Sequence, residues 1–491
     1  MDMLQSDVES VLREPARAEL QNPRMRTQKT PEVQEELFGC SQVSPSGTPT
    51  RDGSSTQFVS ELPVDPTDGA EYSFRHLTRK DVVQNNHSLH KYPAKFIPQI
   101  PQWALAYGDP KPHETILDPF CGSGTTLVEA GLRGSYAIGT DVSPLAVVIT
   151  RAKTARITIT ESRVTALLDS ILIRAGRLVA PISRDLVPDS QSHGLHETWS
   201  FWFRPSEMSL LLALRNAITT ECGTDPELEQ FLLACLSSIA KSCSFLNEDQ
   251  IKVRFDKTKK LAEPLQAFQS FARDSLLKQI VLGRAYRRAG ARFLTEKRCA
   301  TSTGLPPKSV DRIITSPPYI NAIDYSMAHK YNLFILGLLD PALFKAHCRE
   351  YIGVTERAVR SQDLQTVPLI ADDGVDPIIN ALWAQGTPTS RNRAFVIGQY
   401  FRGMRSAFEE FLRVLRPQGQ FFFVVGETNR ICGLTVETAA LLSSIAQRLG
   451  FVVAQQFYHC LANRSSMRLN RSTTGGTVKR EAIYIFRNKG A

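Results

Sequence analysis

Two short stretches of this chain place unusual chemistry where a strand ends. In DRIITSPPYINAIDY, residues 311–325, an apolar run closing with Ile313-Ile314-Thr315 stops at Ser316-Pro317-Pro318-Tyr319. Prolines donate no N–H and fix φ, so the predicted strand must end there in a stiff, open turn. That turn offers the Ser316 hydroxyl, the Pro317 carbonyl with no N–H beside it at Pro318, and the flat ring of Tyr319. Two acceptors and a ring suit a planar amine, one acceptor for each N–H and the ring against the base. The plainer reading of the four letters is a proline turn with Tyr319 packed as core.

The second stretch is Asp118-Pro119-Phe120-Cys121-Gly122-Ser123-Gly124-Thr125-Thr126. Glycines permit a tight turn and close approach of a ligand to the backbone, and free N–H groups at a helix start can face it. No Lys-Ser/Thr follows at P-loop spacing, and the third glycine of the dinucleotide fingerprint is missing. Asp141 stands seventeen residues after Gly124, at the end of the next predicted strand, where an acid can hold both hydroxyls of a ribose. A GxG pair alone is weak, but strand, GxG, helix, strand and acid together predict a nucleoside cofactor.

The elements that must position these groups alternate. Strands are predicted at Glu114–Asp118, Tyr136–Asp141, Val310–Thr315, Gln420–Val425, Phe451–Tyr458 and Ala482–Phe486. Helices are predicted at Gly124–Arg133, from Pro144 onward, over 398–416 ending at Pro417-Gln418-Gly419, and at Thr435–Leu449. This rhythm predicts an α/β fold with a doubly wound, mostly parallel sheet. The last two strands have no helical pattern between them, which predicts an antiparallel C-terminal hairpin at one edge. Residues 155–290 read as a helical insertion and interrupt the rhythm, whereas residues 1–70, rich in Ser, Thr, Pro and Gln, read as a disordered polar tail. The predicted core is therefore 71–154 together with 291–491.

Charge is concentrated. Residues 251–300 hold thirteen Lys/Arg against four acids, an excess equal to the +9 of the whole chain. Such a segment suits a polyanion, with Lys252, Arg254, Lys257, Lys259 and Lys260 as candidate phosphate contacts, or else a solvated helix face. Nine cysteines include no CxxC pair and no Cys/His cluster at zinc spacing, so no metal is expected and the thiols read as reduced. No apolar run nears the ~20 residues of a membrane span, and the N-terminus lacks the basic start and apolar segment of a secretory signal. A cytoplasmic protein is the expectation.

DPFCGSGTT followed downstream by TSPPY resembles the S-adenosylmethionine-dependent DNA methyltransferases that act on exocyclic amines, most closely the cytosine-N4 enzymes. His90-Lys91-Tyr92-Pro93-Ala94-Lys95-Phe96 resembles the segment that precedes their glycine motif, and Asn321–Tyr325 with His329-Lys330 the helix after their catalytic turn. Arg413–Gly419 with FFFVVGET resembles the following helix–strand unit. The resemblance implies a Rossmann-like methyltransferase sheet and S-adenosyl-L-methionine as cofactor. It implies that Tyr92, Lys95 and Phe96 help enclose the methionine end, with Asp118 near its amino group. Pro119, Phe120, Gly122, Gly124, Thr125 and Thr126 would surround the cofactor, and Asp141 would hold the ribose. Ser316, Pro317, Pro318 and Tyr319 would hold the target base. An acid is expected near the adenine just before the catalytic strand, but Arg298-Cys299-Ala300-Thr301 stands there, leaving that contact unassigned. Target recognition falls to the insertion, with 345–395 a second candidate.

The expected reaction is direct methyl transfer to the N4 amine of a cytosine flipped out of double-stranded DNA. A restriction–modification setting, with a cognate restriction endonuclease as a candidate partner, is implied by the resemblance alone. Adenine-N6 methylation and guanine-N2 methylation of RNA remain open alternatives, and a basic nucleic-acid-binding protein with a vestigial site is the non-enzyme reading. Carbon-5 methylation needs a cysteine nucleophile, in that family within Pro-Cys, a dipeptide this chain lacks.

Overall fold

A computed structural model of the chain describes residues 56–59, 61–74, 77–93, 97–179, 201–247, 254–320, 324–353, 358–461 and 478–489. Most of the predicted polar tail lies outside them.

Among the described residues the main sheet has nine strands: β1 (Gln57–Phe58), β2 (Glu71–Ser73), β3 (Thr115–Asp118), β4 (Tyr136–Asp141), β5 (Arg292–Lys297), β6 (Val310–Thr315), β7 (Leu415–Gly426), β10 (Phe451–Cys460) and β11 (Arg480–Asn488). Two further short strands, β8 (Asn429–Ile431) and β9 (Leu434–Val436), pair separately. The order across the sheet is β1-β2-β10-β11-β7-β6-β3-β4-β5. Pairings from β5 through β4, β3 and β6 to β7 are all parallel. From β3 the chain winds outward through β4 to β5, then returns to β6 on the other side of β3 and winds outward to β7. Direction reverses between β3 and β6, and open α/β sheets bind their ligands at such a switch point, beyond the carboxyl ends of the strands.

The predicted α/β class and the C-terminal hairpin are both present, β10 and β11 running antiparallel. The hairpin does not form the sheet's edge, because β2 and β1 continue outside it. β5 was not anticipated, since RFLTEK carries three charges in six residues and reads as surface. The helix predicted from 398 starts ten residues earlier, at Pro388, where Thr387 accepts the Ser390 N–H and proline occupies the first turn. It ends at Val414, and Leu415–Gly419 join β7 across a register shift against β6.

The sheet is covered on both faces. Trp103, Leu127 and Phe457 share one apolar cluster, and Phe408, Phe411, Phe421 and Leu442 share another. The central run FFFVV is buried throughout, as a strand between two helical layers requires. The insertion is helical as predicted, with helices Glu161–Val179, Pro205–Cys222, Pro226–Ala240 and Pro264–Ala289. Its core is continuous with Leu145 and Ile149 of helix Pro144–Thr154 and with Tyr331 and Ile335 of helix Tyr325–Ile335. Both of those helices start beside the predicted site, so the insertion braces the elements that carry it.

One buried ion pair ties the opposite end of the sheet. Arg312 on β6 is 4 % exposed; its Nε lies 2.8 Å from Glu114, and Nη1 donates to the carbonyls of Ala104 and Tyr107 at the end of helix Gln99–Ala106. Removing one partner of a buried pair leaves the other charge uncompensated. Glu114→Ala is expected to cost ~3–5 kcal/mol, the usual range for such a loss, read from urea denaturation midpoints at constant slope.

Candidate active site

The glycine stretch leaves β3 and turns into helix Thr125–Leu132 through two left-handed residues, Gly122 (φ 50°) and Gly124 (φ 74°). Gly124 also lies against helix Pro144–Thr154, where an added Cβ would stand 2.9 Å from the Thr150 side chain. At Gly122 a Cβ would meet the Tyr92 ring at 3.1 Å. Tyr92 is itself held between the rings of Tyr325 and His329, at centroid distances of 6.1 and 4.8 Å. Glycine is required here both by φ and by the aromatic lid.

Asp141 pins this loop to the end of β4. Its Oδ2 accepts the Gly122 N–H at 3.0 Å and its Oδ1 the Ser143 N–H at 2.8 Å, leaving further lone pairs on each oxygen. Asp118, at the end of β3, accepts the Thr315 hydroxyl at 2.6 Å and the Phe120 N–H at 3.2 Å through Oδ1. Its Oδ2 is buried with no hydrogen-bond partner among the described residues, as is the Ser123 hydroxyl. Burial raises both carboxyls to about 6, against the pull of these hydrogen bonds. Cys121 packs in the loop, and burial pushes its thiol well up, the reverse of an activated nucleophile.

These groups share one cleft with Ser316 and Pro318 of the proline turn. About 710 Å³ of empty space, part of it open to solvent, is lined by Tyr92, Pro119, Phe120, Gly122, Thr125 and Asp141 on one side and by Ser316 and Pro318 on the other. Thr126 sits behind the wall, its hydroxyl donating to the Ile314 carbonyl at 3.3 Å. Pro317 is buried, and Tyr319 is half-buried with its hydroxyl donating to Glu481. Lys95 and Phe96 lie outside the described residues.

Among the lining residues that the sequence did not assign to the site are Cys299, Ala300, Tyr351 and Ile352. The first two follow β5, where an acid was expected, and present a small apolar surface instead. The other two come from a distant segment that folds back over the cleft. It is fastened by Arg349 on Asp363 at 2.9 Å, by Glu350 on Lys297 at 3.2 Å, and by His347 against the Tyr351 hydroxyl at 3.1 Å. Neither had a motif to mark it.

The candidate phosphate contacts divide. Arg254, Lys257 and Lys260 are exposed, and Lys252 lies outside the described residues. Lys259 is committed within the insertion, donating to the carbonyls of Lys241 at 2.5 Å and Leu246 at 2.8 Å. Among the described residues there is no group of three or more metal-ligating side chains, and no helix is long and apolar enough to cross a membrane.

The doubly wound sheet brings a glycine loop, an acid at the end of the next strand and a proline-fixed turn together at its switch point. The comparisons with known proteins point to methyltransferases. The family model described as UPF0020, RMKL-like, methyltransferase domain, matches residues 89–170. The Type II methyltransferase M.MvaI of Kocuria varians is 23 % identical over 447 residues, spanning 82 % of this chain and 91 % of that protein. The Type II methyltransferase M.MjaII of Methanocaldococcus jannaschii is 38 % identical over 87 residues, 17 % of this chain and 16 % of its own length. A solved rRNA methyltransferase, aviRa from Streptomyces viridochromogenes, aligns at 11 % identity over 85 % of this chain and 97 % of its own, with a TM-score of 0.28, too low to carry weight. The resemblance is supported at the level of S-adenosylmethionine-dependent DNA methyltransferases, to which this chain is similar.

The residues present are compatible with that cofactor: the buried Asp118 carboxyl would suit the methionine ammonium, Asp141 the ribose diol, and Ala300 with Ile352 a flat adenine. An ammonium partner favours the ionised carboxylate, so binding demands deprotonation of a group that burial holds at about 6. Affinity for S-adenosylhomocysteine, measured by calorimetry from about pH 8 to about pH 5, is therefore expected to fall by up to about tenfold per unit below pH ~6 for each carboxylate engaged. Asp118→Asn should weaken binding and flatten that dependence. The free fold responds oppositely: a carboxyl raised from 3.8 holds its proton more tightly folded than unfolded, so its contribution is greatest at low pH and declines as pH rises toward about 6.

Proposed function

We propose that the protein is a site-specific DNA methyltransferase that methylates the N4 amine of a cytosine flipped out of double-stranded DNA, in a restriction–modification setting. The supporting observation is the meeting of Ser316 and Pro318 with the glycine loop in one cleft, where the Thr315 hydroxyl on Asp118 locks the two strand ends together.

S-adenosylmethionine, when bound, supplies an electrophilic methyl carbon. The chain's own residues prepare the nucleophile. A base stacked in the duplex cannot present its exocyclic nitrogen, so it is turned out of the helix and received at the turn. The Ser316 hydroxyl and the Pro317 carbonyl accept its two amine protons. No N–H at Pro317 or Pro318 competes for those acceptors. Hydrogen bonds to both protons favour a pyramidal nitrogen, freeing a lone pair that the ring otherwise delocalises, and they strengthen as positive charge develops. Tyr319 supplies the stacking surface. The serine at the head of the turn favours cytosine over adenine, on the strength of the family resemblance. Arg254, Lys257 and Lys260 on the insertion contact DNA phosphates in this reading, with the exposed basic residues of helix Pro264–Ala289 extending the same charge.

Incubation with tritiated S-adenosylmethionine and a mixed-sequence duplex, followed by digestion to nucleosides, is expected to place the label in N4-methylcytosine. Label in N6-methyladenine, or in N2-methylguanine when RNA is offered, would overturn the assignment. Ser316→Ala should reduce turnover and leave cofactor binding intact. Neutralising Arg254, Lys257 and Lys260 together should make the log–log salt dependence of DNA affinity shallower by about 3, close to one for each phosphate no longer neutralised.

A further inference from the structure

The hydroxyl of Tyr319 reaches β11, with the Ser316 side chain also beside it. It donates to Oε1 of Glu481, whose Oε2 is 2.8 Å from Nδ1 of His459. Glu481 is 4 % exposed and His459 1 %. Burial first, and then the charge of Glu481, hold the phenol well above its ordinary range, so Tyr319 remains a donor. Along its edge the ring lies on Gly426, where a Cβ would stand 3.1 Å from the ring carbon Cδ2.

The arrangement is written into the sheet register. His459 on β10 pairs with Glu481 on β11, and Glu481 pairs with Gly426 on β7. Three adjacent strands therefore align His459, Glu481 and Gly426, with Glu481 and Gly426 against the tyrosine and His459 behind Glu481. The N-terminal strand completes the support. Phe74 meets the His459 ring edge-on at 5.3 Å, and Arg480 bridges Glu427 and Glu71. A buried carboxylate is costly to desolvate, and an apolar side chain of similar size would pack this site at less cost. What the carboxylate adds is a strong, directional hydrogen bond to one phenol.

We propose that Glu481 is a positioning residue for the target base: its grip on the Tyr319 hydroxyl fixes the plane of the ring on which the flipped base stacks. This rests on the base-holding role proposed above for the Ser316–Tyr319 turn. Glu481 touches neither base nor cofactor and acts only through Tyr319. His459 orients the carboxylate from behind, and Gly426 admits the ring to the position that the bond defines.

Tyr319→Phe, Glu481→Gln, Glu481→Ala and the double variant Tyr319→Phe/Glu481→Ala test this in the full chain with tritiated S-adenosylmethionine and an unmethylated mixed-sequence duplex. Y319F and E481A are each expected to lower kcat/KM for DNA by about 10- to 100-fold, the range for a hydrogen bond to a charged group, with the Kd for S-adenosylhomocysteine unchanged. The double variant should be no worse than E481A, since both remove the same bond, and E481Q, which keeps an acceptor, should recover most of the loss. Wild-type kcat/KM in Y319F, or additive losses in the double variant, would overturn the proposal. If E481A does not fold, the comparison of Y319F with E481Q decides by the same criteria. Tyr319→Ala separates the two levels: wild-type turnover there sinks the base-holding reading itself, whereas an inactive Y319A beside a fully active Y319F removes only the role of Glu481.

Discussion

The hydrogen bond from the Thr315 hydroxyl to Asp118 joins the two halves of the site. Thr315 ends β6 and Asp118 ends β3, the neighbouring strands between which the winding of the sheet reverses. Each strand then departs into its own turn, one rich in glycine and the other stiffened by proline. Had these strands been separated by another, the proline turn and the glycine loop would open into different crevices. Sheet order therefore does what no local motif can. It brings residues about two hundred positions apart to within one hydrogen bond, as parallel sheets with a switch point allow.

Polar groups left over at that junction describe what belongs there. Asp118 spends one oxygen on Thr315 and Phe120 and leaves the other buried without a partner among the described residues. Asp141 fixes the loop through two backbone N–H groups and still faces the cleft. Burial makes both acids reluctant to ionise alone, so a cationic or hydroxyl-bearing ligand resolves a cost that the free protein carries. The helical insertion contributes rigidity as well as charge, because its core runs unbroken into helices Pro144–Thr154 and Tyr325–Ile335.

Legibility in the sequence follows how local the cause is. The glycine loop, Asp141 and the Ser-Pro-Pro-Tyr turn were readable because backbone requirements force particular residue types at short spacing. The alternating strands were readable because FFFVV and its counterparts are buried on both faces. β5 was not, since RFLTEK is an edge strand whose charges reach solvent. Tyr351 and Ile352 were invisible because a long segment returns to the cleft from elsewhere in the chain, held by ion pairs without a pattern. Glu481 is 162 residues from Tyr319, and only the β7–β11–β10 register unites them. Lys259 counted as one more charge in a basic run until its ammonium was found on two carbonyls.

A crystal structure with S-adenosylhomocysteine bound tests the central claim most directly. The switch-point account predicts the ligand's amino group on Asp118 Oδ2, its ribose hydroxyls on Asp141, and its sulfur facing Ser316 across the cleft. Ligand density outside this cleft, or a sulfur turned away from the Ser316–Tyr319 turn, would contradict it.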